Sequence, residues 1–140
     1  MVPQNNLTSI VSDLELCKKI PLDCFSDSAL VWNAAILNNP VVEERLYSEL
    51  GRHALVPKYA APTFDEIFKE LAAGDENFES FDPELTYDAF MGGWIVSARN
   101  KKIIDGFVSV DYLRETDKDK PVTAALKLWL SMKGLIDEHK

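Results

Sequence analysis

Cysteine and histidine are scarce in this sequence, which limits the chemistry that it can support. Its thiols and imidazoles all belong to Cys17, Cys24, His53 and His139. Structural zinc sites use closely spaced pairs such as C-x2-C, whereas six residues separate the two cysteines here. We therefore expect no metal site, and no motif in the chain indicates a cofactor of another kind.

Basic residues are also in short supply. The chain has 15 Lys and Arg against 23 Asp and Glu, for a net charge of -8 at pH 7 and a pI of about 4.7. Its basic clusters are the pairs Lys18–Lys19 and Lys101–Lys102. Because nucleic-acid binding usually needs a basic face, we expect none here. An acidic mimic of nucleic acid would fit the net charge but not the scattered lysines.

Long hydrophobic runs are missing as well. The longest apolar stretches, residues 29–37 and 124–130, are interrupted by Asn33 and Lys127 and are too short to cross a bilayer. No opening segment has the charged, apolar and small-residue order of a signal peptide. We therefore expect a soluble, cytoplasmic protein that has no membrane partner and whose two cysteines are reduced thiols.

The chain has enough apolar residues to build a hydrophobic core. It has 140 residues, of which 46% are hydrophobic, and this length and composition are typical of one globular domain. We expect residues 1–140 to form that single domain. Residues 1–11 are polar and weakly patterned, which allows the start of the chain to be mobile.

The first half of the chain contains two predicted helices and one ambiguous segment. Ser12 and Glu15 have the spacing of a capping box, which predicts a short helix over residues 13–19. Residues 29–37 are apolar and fit a strand or a helix equally well. A proline after two asparagines, followed by apolar residues at helical spacing, predicts a helix over residues 40–50. This segment belongs to a stretch, residues 33–51, that could carry a specific function.

The segment "APTFDEIFKEL" predicts an amphipathic helix over residues 63–72. Thr63 has the position of an N-cap, and Glu66 has the position that completes a capping box. Four apolar residues share one face of this helix: Phe64, Ile67, Phe68 and Leu71. We expect this face to be part of the core.

From Leu85 onward the pattern is typical of strands. Three runs are rich in β-branched and aromatic residues: residues 85–91, 94–98 and 103–113. Gly92–Gly93 predicts a two-residue hairpin turn, and residues 99–102 predict a second turn. In the third run Ile104, Val108, Val110 and Tyr112 alternate with polar residues. The alternation predicts a strand with one buried face and one solvent-exposed face.

The last apolar segment predicts a buried helix that covers the sheet. Pro121 suits its first position and Gly134 follows its end. A polar stripe four residues apart runs along it: Thr123, Lys127 and Ser131. The sequence thus predicts an α+β fold, in which an antiparallel meander of three or four strands packs against helices that include the C-terminal one.

Three segments resemble a family of small uncharacterised proteins of bacteria and their phages. The segments are "LELCKKIPLDCFSDSALVW", "LVPKYAAPTFDEIFKEL" and "ETDKDKPVTAALKLWLSMKGLI". Members of this family typically combine a Pro-Thr-started amphipathic helix, an aromatic hairpin and a terminal Ala-Leu-Trp-Leu helix. The resemblance implies an α+β fold and an origin in a prophage or other mobile element. It implies no activity, and residues 33–51 depart from the pattern.

No catalytic residue can be assigned from the sequence. Cys24 and His53 could form a dyad, but nothing near them is typical of an oxyanion hole. The glycines do not form a phosphate-binding motif. A small hydrolase or nucleotide-processing enzyme without a recognisable motif is the alternative to a non-catalytic protein.

The acidic segment 75–84 contains two phenylalanines, Phe78 and Phe81, among five acids. We expect both rings to fold back onto the core, because an exposed phenylalanine is unfavourable. If they do not, they would belong to a contact surface. The other candidates for that surface are Tyr47, Arg52, Tyr59 and Trp94, since aromatic residues and arginine dominate interface energetics. The leading hypothesis is a module that binds another protein, or itself, without catalysis.

Overall fold

The computed structural model describes residues 7–21, 23–34, 40–44, 58–73 and 83–136, with the backbone alone at residues 100–104 and 111. The chain divides into two compact units, Met1–Glu66 (unit 1) and Ile67–Lys140 (unit 2). The predicted α+β class is confirmed: two antiparallel three-stranded sheets occur together with helices, including one near the C-terminus. The single-domain organisation stays a prediction.

The helices and strands follow one another in an irregular order along the chain. The helices are α1 (Leu14–Cys17), α2 (Phe64–Ala73) and α3 (Pro121–Met132). The strands are β1 (Leu30–Asn33), β2 (Val41–Glu44), β3 (Lys58–Ala60), β4 (Glu84–Asp88), β5 (Gly93–Ile104) and β6 (Phe107–Asp117). Unit 1 holds the sheet β2-β1-β3, and unit 2 holds the sheet β4-β5-β6.

The first sheet is organised around β1. This strand pairs antiparallel with β2 on one side and β3 on the other, and Leu30, Val31 and Trp32 are all buried in it. The Trp32 indole Nε1 donates a hydrogen bond of 2.9 Å to the main-chain carbonyl of Ser12. The ambiguous segment 29–37 therefore forms a strand over residues 30–33.

The predicted cap of the first helix was wrong. Asp13 is the N-cap of α1, and its carboxylate accepts a 3.0 Å hydrogen bond from the Leu16 N–H. Ser12 is instead fully buried. Its carbonyl accepts hydrogen bonds from Trp32 and, at 3.6 Å, from the Cys17 thiol. Asp13 has the extended backbone that an N-cap requires, and α1 is shorter than the predicted 13–19.

The predicted helix over residues 40–50 was also wrong at its start. Val41–Glu44 form β2, whose Val42 lies opposite Trp32 of β1. Val42 is buried, at 1% exposure. Two consecutive β-branched valines favour a strand once a partner strand is available. Residues 45–50 lie outside the described residues.

The capping box of α2 is confirmed. The Thr63 N–H donates to the Glu66 carboxylate at 2.9 Å, and the Glu66 N–H donates to the Thr63 hydroxyl at 3.4 Å. The other carboxylate oxygen of Glu66 accepts a 3.0 Å hydrogen bond from the Ala29 N–H. On the apolar face of the helix, Ile67 and Leu71 are buried, and Phe64 and Phe68 are half-buried.

The predicted three-stranded meander is confirmed in unit 2, but its second turn lies elsewhere. Residues 99–102 do not turn: β5 continues through them to Ile104. The turn is formed by Asp105 and Gly106, whose φ angles are 52° and 82°. Positive φ at both central residues is the signature of a type I′ hairpin, for which Asp-Gly is a preferred sequence.

The first hairpin of the meander has a longer loop than the two glycines suggested. Asp88 pairs with Gly93, so residues 89–92 form the loop. Gly92 has a φ of 71°, and its N–H donates to the Asp88 carbonyl at 2.8 Å. Gly93 is part of β5, where a Cβ would lie 3.2 Å from the Asp117 carbonyl oxygen. Of the two glycines in this hairpin, Gly92 therefore uses the left-handed conformation and Gly93 does not.

The helix α3 covers one end of the second sheet by packing on β5 and β6. Its buried residues are Val122, Ala124, Ala125, Leu126, Leu128, Trp129 and Leu130. Its polar stripe meets β6: Lys127 donates to the Thr116 carbonyl at 3.3 Å, and Ser131 donates to the Glu115 carboxylate at 3.4 Å. After α3, Gly134 and Leu135 donate to the carbonyls of residues 131 and 130, which is the Schellman arrangement.

Candidate interaction surface

The β5–β6 hairpin has two parts with different neighbours. β4 pairs with β5 only over residues 93–97. Farther along, residues 98–104 of β5 and 107–113 of β6 pair with each other, and in the part of the chain that the structure describes no third strand joins them. We call residues 98–113 the arm, and residues 93–97 with 114–117 the base.

The arm exposes apolar side chains to solvent. The exposed fractions are 77% for Phe107, 58% for Val108, 44% for Val110 and 70% for Tyr112. We call these four residues the arm surface. Because side chains alternate along a strand, the last three share one face of β6 and Phe107 lies on the other. The predicted strand with one buried apolar face is therefore wrong for this part of β6.

The reason for the exposure lies in the length of the hairpin. In the base, Val96 is fully buried, and Glu115, its register partner on β6, meets Ser131 of α3. Ala98, at the junction with the arm, is also buried. Alternation alone cannot reveal this difference, because it shows that residues share a face but not whether another layer covers that face.

Tyr112 has a defined neighbour across the arm. It lies opposite Arg99 in the register of β5 and β6. The Arg99 guanidinium carbon lies 5.4 Å from the centroid of the tyrosine ring. A cation–π contact of this kind at an exposed site is worth about 0.5–1 kcal/mol. This contact restrains the ring while leaving most of it accessible.

Charge differs between the two strands of the arm. Residues 98–104 of β5 read "ARNKKII" and include three basic residues and no acid. Residues 107–113 of β6 read "FVSVDYL" and include one acid, Asp111, and no base. The outer edge of β6 is therefore nearly neutral, whereas the outer edge of β5 is positively charged.

A second exposed apolar group lies at the other end of β5, in the first hairpin. Phe90 is 100% exposed and Met91 is 61% exposed at the tip of the loop. Asp88 fixes the backbone of that loop, because its carboxylate accepts hydrogen bonds from the N–H groups of both residues, at 2.9 and 3.1 Å. Tyr87 and Trp94 pack edge to face beside it, with ring centroids 4.9 Å apart.

Two of the six predicted interaction residues can be located. Tyr59 lies in β3 opposite Trp32, half-buried, with the Lys18 ammonium 5.9 Å from its ring centroid. Trp94 lies in β5 of unit 2, also half-buried. The remaining four, Tyr47, Arg52, Phe78 and Phe81, lie outside the described residues. The expected return of Phe78 and Phe81 to the core stays a prediction.

Sequence reasoning missed the arm surface. The sequence Asp105–Gly106 could have revealed it, because this pair favours a type I′ turn. A turn at this position extends β5 through residues 99–104 and so lengthens the hairpin. A long two-stranded hairpin has little to cover it, so its apolar residues belong to a surface rather than to a core.

Both cysteines of the chain lie in the described residues. Cys17 is buried and Cys24 half-buried, and neither forms a disulfide. No set of three or more His, Cys, Asp or Glu side chains in the described ranges could hold a metal ion. His53, the partner in the considered Cys24 dyad, lies outside those ranges. None of the described helices is long and apolar enough to cross a membrane.

No protein-family model matches the sequence, and searches among curated proteins and among solved structures found no match.

Proposed function

We propose that this protein is a non-catalytic protein-binding module whose contact surface is the arm surface. The observation that carries the proposal is the exposure of Phe107, Val108, Val110 and Tyr112 on a regular pair of strands. Val108, Val110 and Tyr112 share one face of β6, and an exposed group of apolar residues commonly marks an interaction site.

The arm offers a partner two kinds of contact. Tyr112 supplies a large ring that is already restrained by Arg99, and aromatic residues are enriched among the side chains that dominate binding energy. The edge of β6 also offers backbone N–H and C=O groups to an extended segment. Adding a strand to a sheet edge is a general way of binding a protein.

The origin and location of the protein form part of the same proposal. The resemblance to small proteins of bacteria and phages supports an origin in a prophage or other mobile element. The scarcity of cysteine and of long apolar runs supports residence in the cytoplasm. A binding module without an active site would suit such an origin.

Site-specific photo-crosslinking in living cells tests the proposal. Tyr112 is replaced by p-benzoylphenylalanine, and Thr86, an exposed residue of β4, is replaced in the same way as a matched control. We expect discrete protein adducts from position 112 that are absent at position 86. A second change, Val108→Ser, should weaken those adducts because it removes part of the apolar contact.

Two results would contradict the proposal. One is a set of adducts at position 112 no stronger or more discrete than at position 86. The other is adducts that survive Val108→Ser and Val110→Ser together, since the contact would then not involve the arm surface. The mass of an adduct also distinguishes a different protein from a second copy of this chain.

A further inference from the structure

We propose that the arm surface binds a second copy of this chain, with the two β6 strands paired antiparallel about a two-fold axis at Val110. This inference rests on the proposed function and names the partner. It follows from three features of β6: an edge with which no other described strand pairs, the direction of its backbone groups and a self-complementary order of side chains.

The backbone groups needed for such a pairing point outward. In a two-residue hairpin the residues that flank the turn, here Ile104 and Phe107, form a hydrogen-bonded pair. The N–H and C=O groups of Phe107 therefore point toward β5. Direction alternates along an antiparallel strand, so those of Val108, Val110 and Tyr112 point to the open edge.

The order of side chains in "FVSVDYL" is self-complementary around its centre. With the axis at Val110, that residue faces its own copy, and Val108 faces Tyr112 of the second copy. These are the residues whose backbone groups point outward, so each facing pair can exchange two hydrogen bonds. On the other face of the strand, Phe107 would lie opposite Leu113. The pairing of Val108 with Tyr112 is favourable, because cross-strand pairs of aromatic and β-branched residues stabilise a sheet.

Neighbouring registers lack this complementarity. An axis at Asp111 would place two carboxylates directly opposite each other, and like charges in that position are destabilising. An axis at Ser109 would place Phe107 opposite Asp111 and Tyr112 opposite the turn glycine, Gly106. Only the axis at Val110 pairs all three residues of the exposed face, Val108, Val110 and Tyr112, with one another.

The outer edge of β5 is a poor alternative for self-pairing. Arg99, Lys101 and Lys102 lie within seven residues there, so two copies would bring like charges together. Lysines on an edge strand are a common means of preventing such association. The two edges of one hairpin thus differ, and β6 is the edge that a second copy can use.

The net charge of the chain adds a condition to the pairing. Each copy carries a formal charge of -8, and two such copies repel each other at low ionic strength. Salt screens this repulsion, with a Debye length of about 8 Å at 0.15 M. We therefore expect the dimer to strengthen as salt is added, which is the opposite of association driven by charge attraction.

Sedimentation velocity with charge-swap variants tests the axis directly. Wild-type protein should show a concentration-dependent monomer–dimer equilibrium. Val110→Lys and Val110→Glu should each raise the dimer Kd by at least about tenfold, because each places two like charges on the axis. An equimolar mixture of the two variants should associate, since a lysine then faces a glutamate.

The control is Thr86→Lys, which adds the same charge to an exposed β-branched residue of β4. It should leave the dimer Kd within about twofold of wild type. Circular dichroism melts confirm that each variant is folded, which is expected because position 110 is partly exposed.

Each outcome bears on a definite part of the inference. Wild-type protein that stays monomeric up to its solubility limit, or Val110 variants that dimerise as well as wild type, would overturn it. Variants that fail to dimerise both alone and when mixed would overturn the position of the axis. Crosslinks from position 112 to a different protein would leave the proposed function standing while the self-pairing falls.

Discussion

The base and the arm of the β5–β6 hairpin consist of the same two strands, yet their apolar residues have opposite environments. In the base, Val96 is 0% exposed, in a region where α3 packs on the sheet. In the arm, Val110 is 44% exposed and Tyr112 is 70% exposed. Both parts contain β-branched and aromatic residues: Val96 and Trp94 in the base, and Val110 and Tyr112 in the arm. What changes is the presence of a covering layer, which determines whether an apolar residue stabilises the fold or remains available for a partner.

The largest expected effect is the loss of the cover itself. Trp129 of α3 is 3% exposed, and Trp129→Ala should lower the free energy of unfolding by about 3–5 kcal/mol. Urea titration followed by circular dichroism measures this change. Phe90→Ala, at a fully exposed position, is the control and should alter stability by less than about 0.5 kcal/mol. Equal effects of the two substitutions would mean that α3 does not support the base.

A smaller effect is expected from removing the same side chain in the two regions. Val96→Ala in the base should lower the free energy of unfolding by about 2 kcal/mol, since it removes two buried methyl groups. Val110→Ala in the arm should change it by less than about 0.5 kcal/mol. Both are measured by urea titration in dilute solution. Similar losses at the two sites would show that the arm is covered.

The smallest effect is expected within the arm alone. Gly106 has a φ of 82°, and Gly106→Ala should weaken the hairpin by about 1 kcal/mol, because alanine disfavours the left-handed conformation. Amide hydrogen exchange should become faster in residues 98–113 while Val96 keeps its protection. Gly106→Asn is the control, since asparagine tolerates this conformation better. A uniform increase in exchange across unit 2 would argue against an independently opening arm.

The helices α2 and α3 could be predicted from signals inside their own sequence. The capping box of α2 needs only Thr63 and Glu66, three residues apart, and both of its hydrogen bonds form. The start of α3 at Pro121 and its end near Gly134 likewise depend on neighbouring residues. Such signals are local because the backbone hydrogen bonds of a helix form within a single segment of the chain.

Elements that depend on a distant partner could not be predicted. Val41–Glu44 read as the start of a helix, yet these residues form a strand because β1 is available to pair with them. The basic residues 99–102 were predicted to form a turn. They are part of β5 instead, because they pair with β6. The Asp105–Gly106 turn was a local signal that could have corrected the second error.

The candidate surface was only partly accessible to sequence reasoning. Aromatic residues were selected by type, which identified Tyr59 and Trp94, both half-buried. Tyr112 was instead assigned to a buried face, because alternation in β6 reads the same whether or not a layer covers it. Burial depends on where α3 ends relative to the hairpin, and that information is not contained in the pattern of β6.

The hydrogen bond from the Trp32 indole to the Ser12 carbonyl has a spectroscopic consequence. It holds one indole at 7% exposure in unit 1, whereas Trp94 and Trp129 belong to unit 2. A chain that keeps Trp32 as its sole tryptophan therefore carries a fluorophore whose emission reports on unit 1, and Trp32→Phe leaves emission from unit 2. Coincidence of the two unfolding transitions is the mark of one cooperative unit. The intrinsic fluorescence of the chain can thus reveal whether its two compact units unfold as one domain.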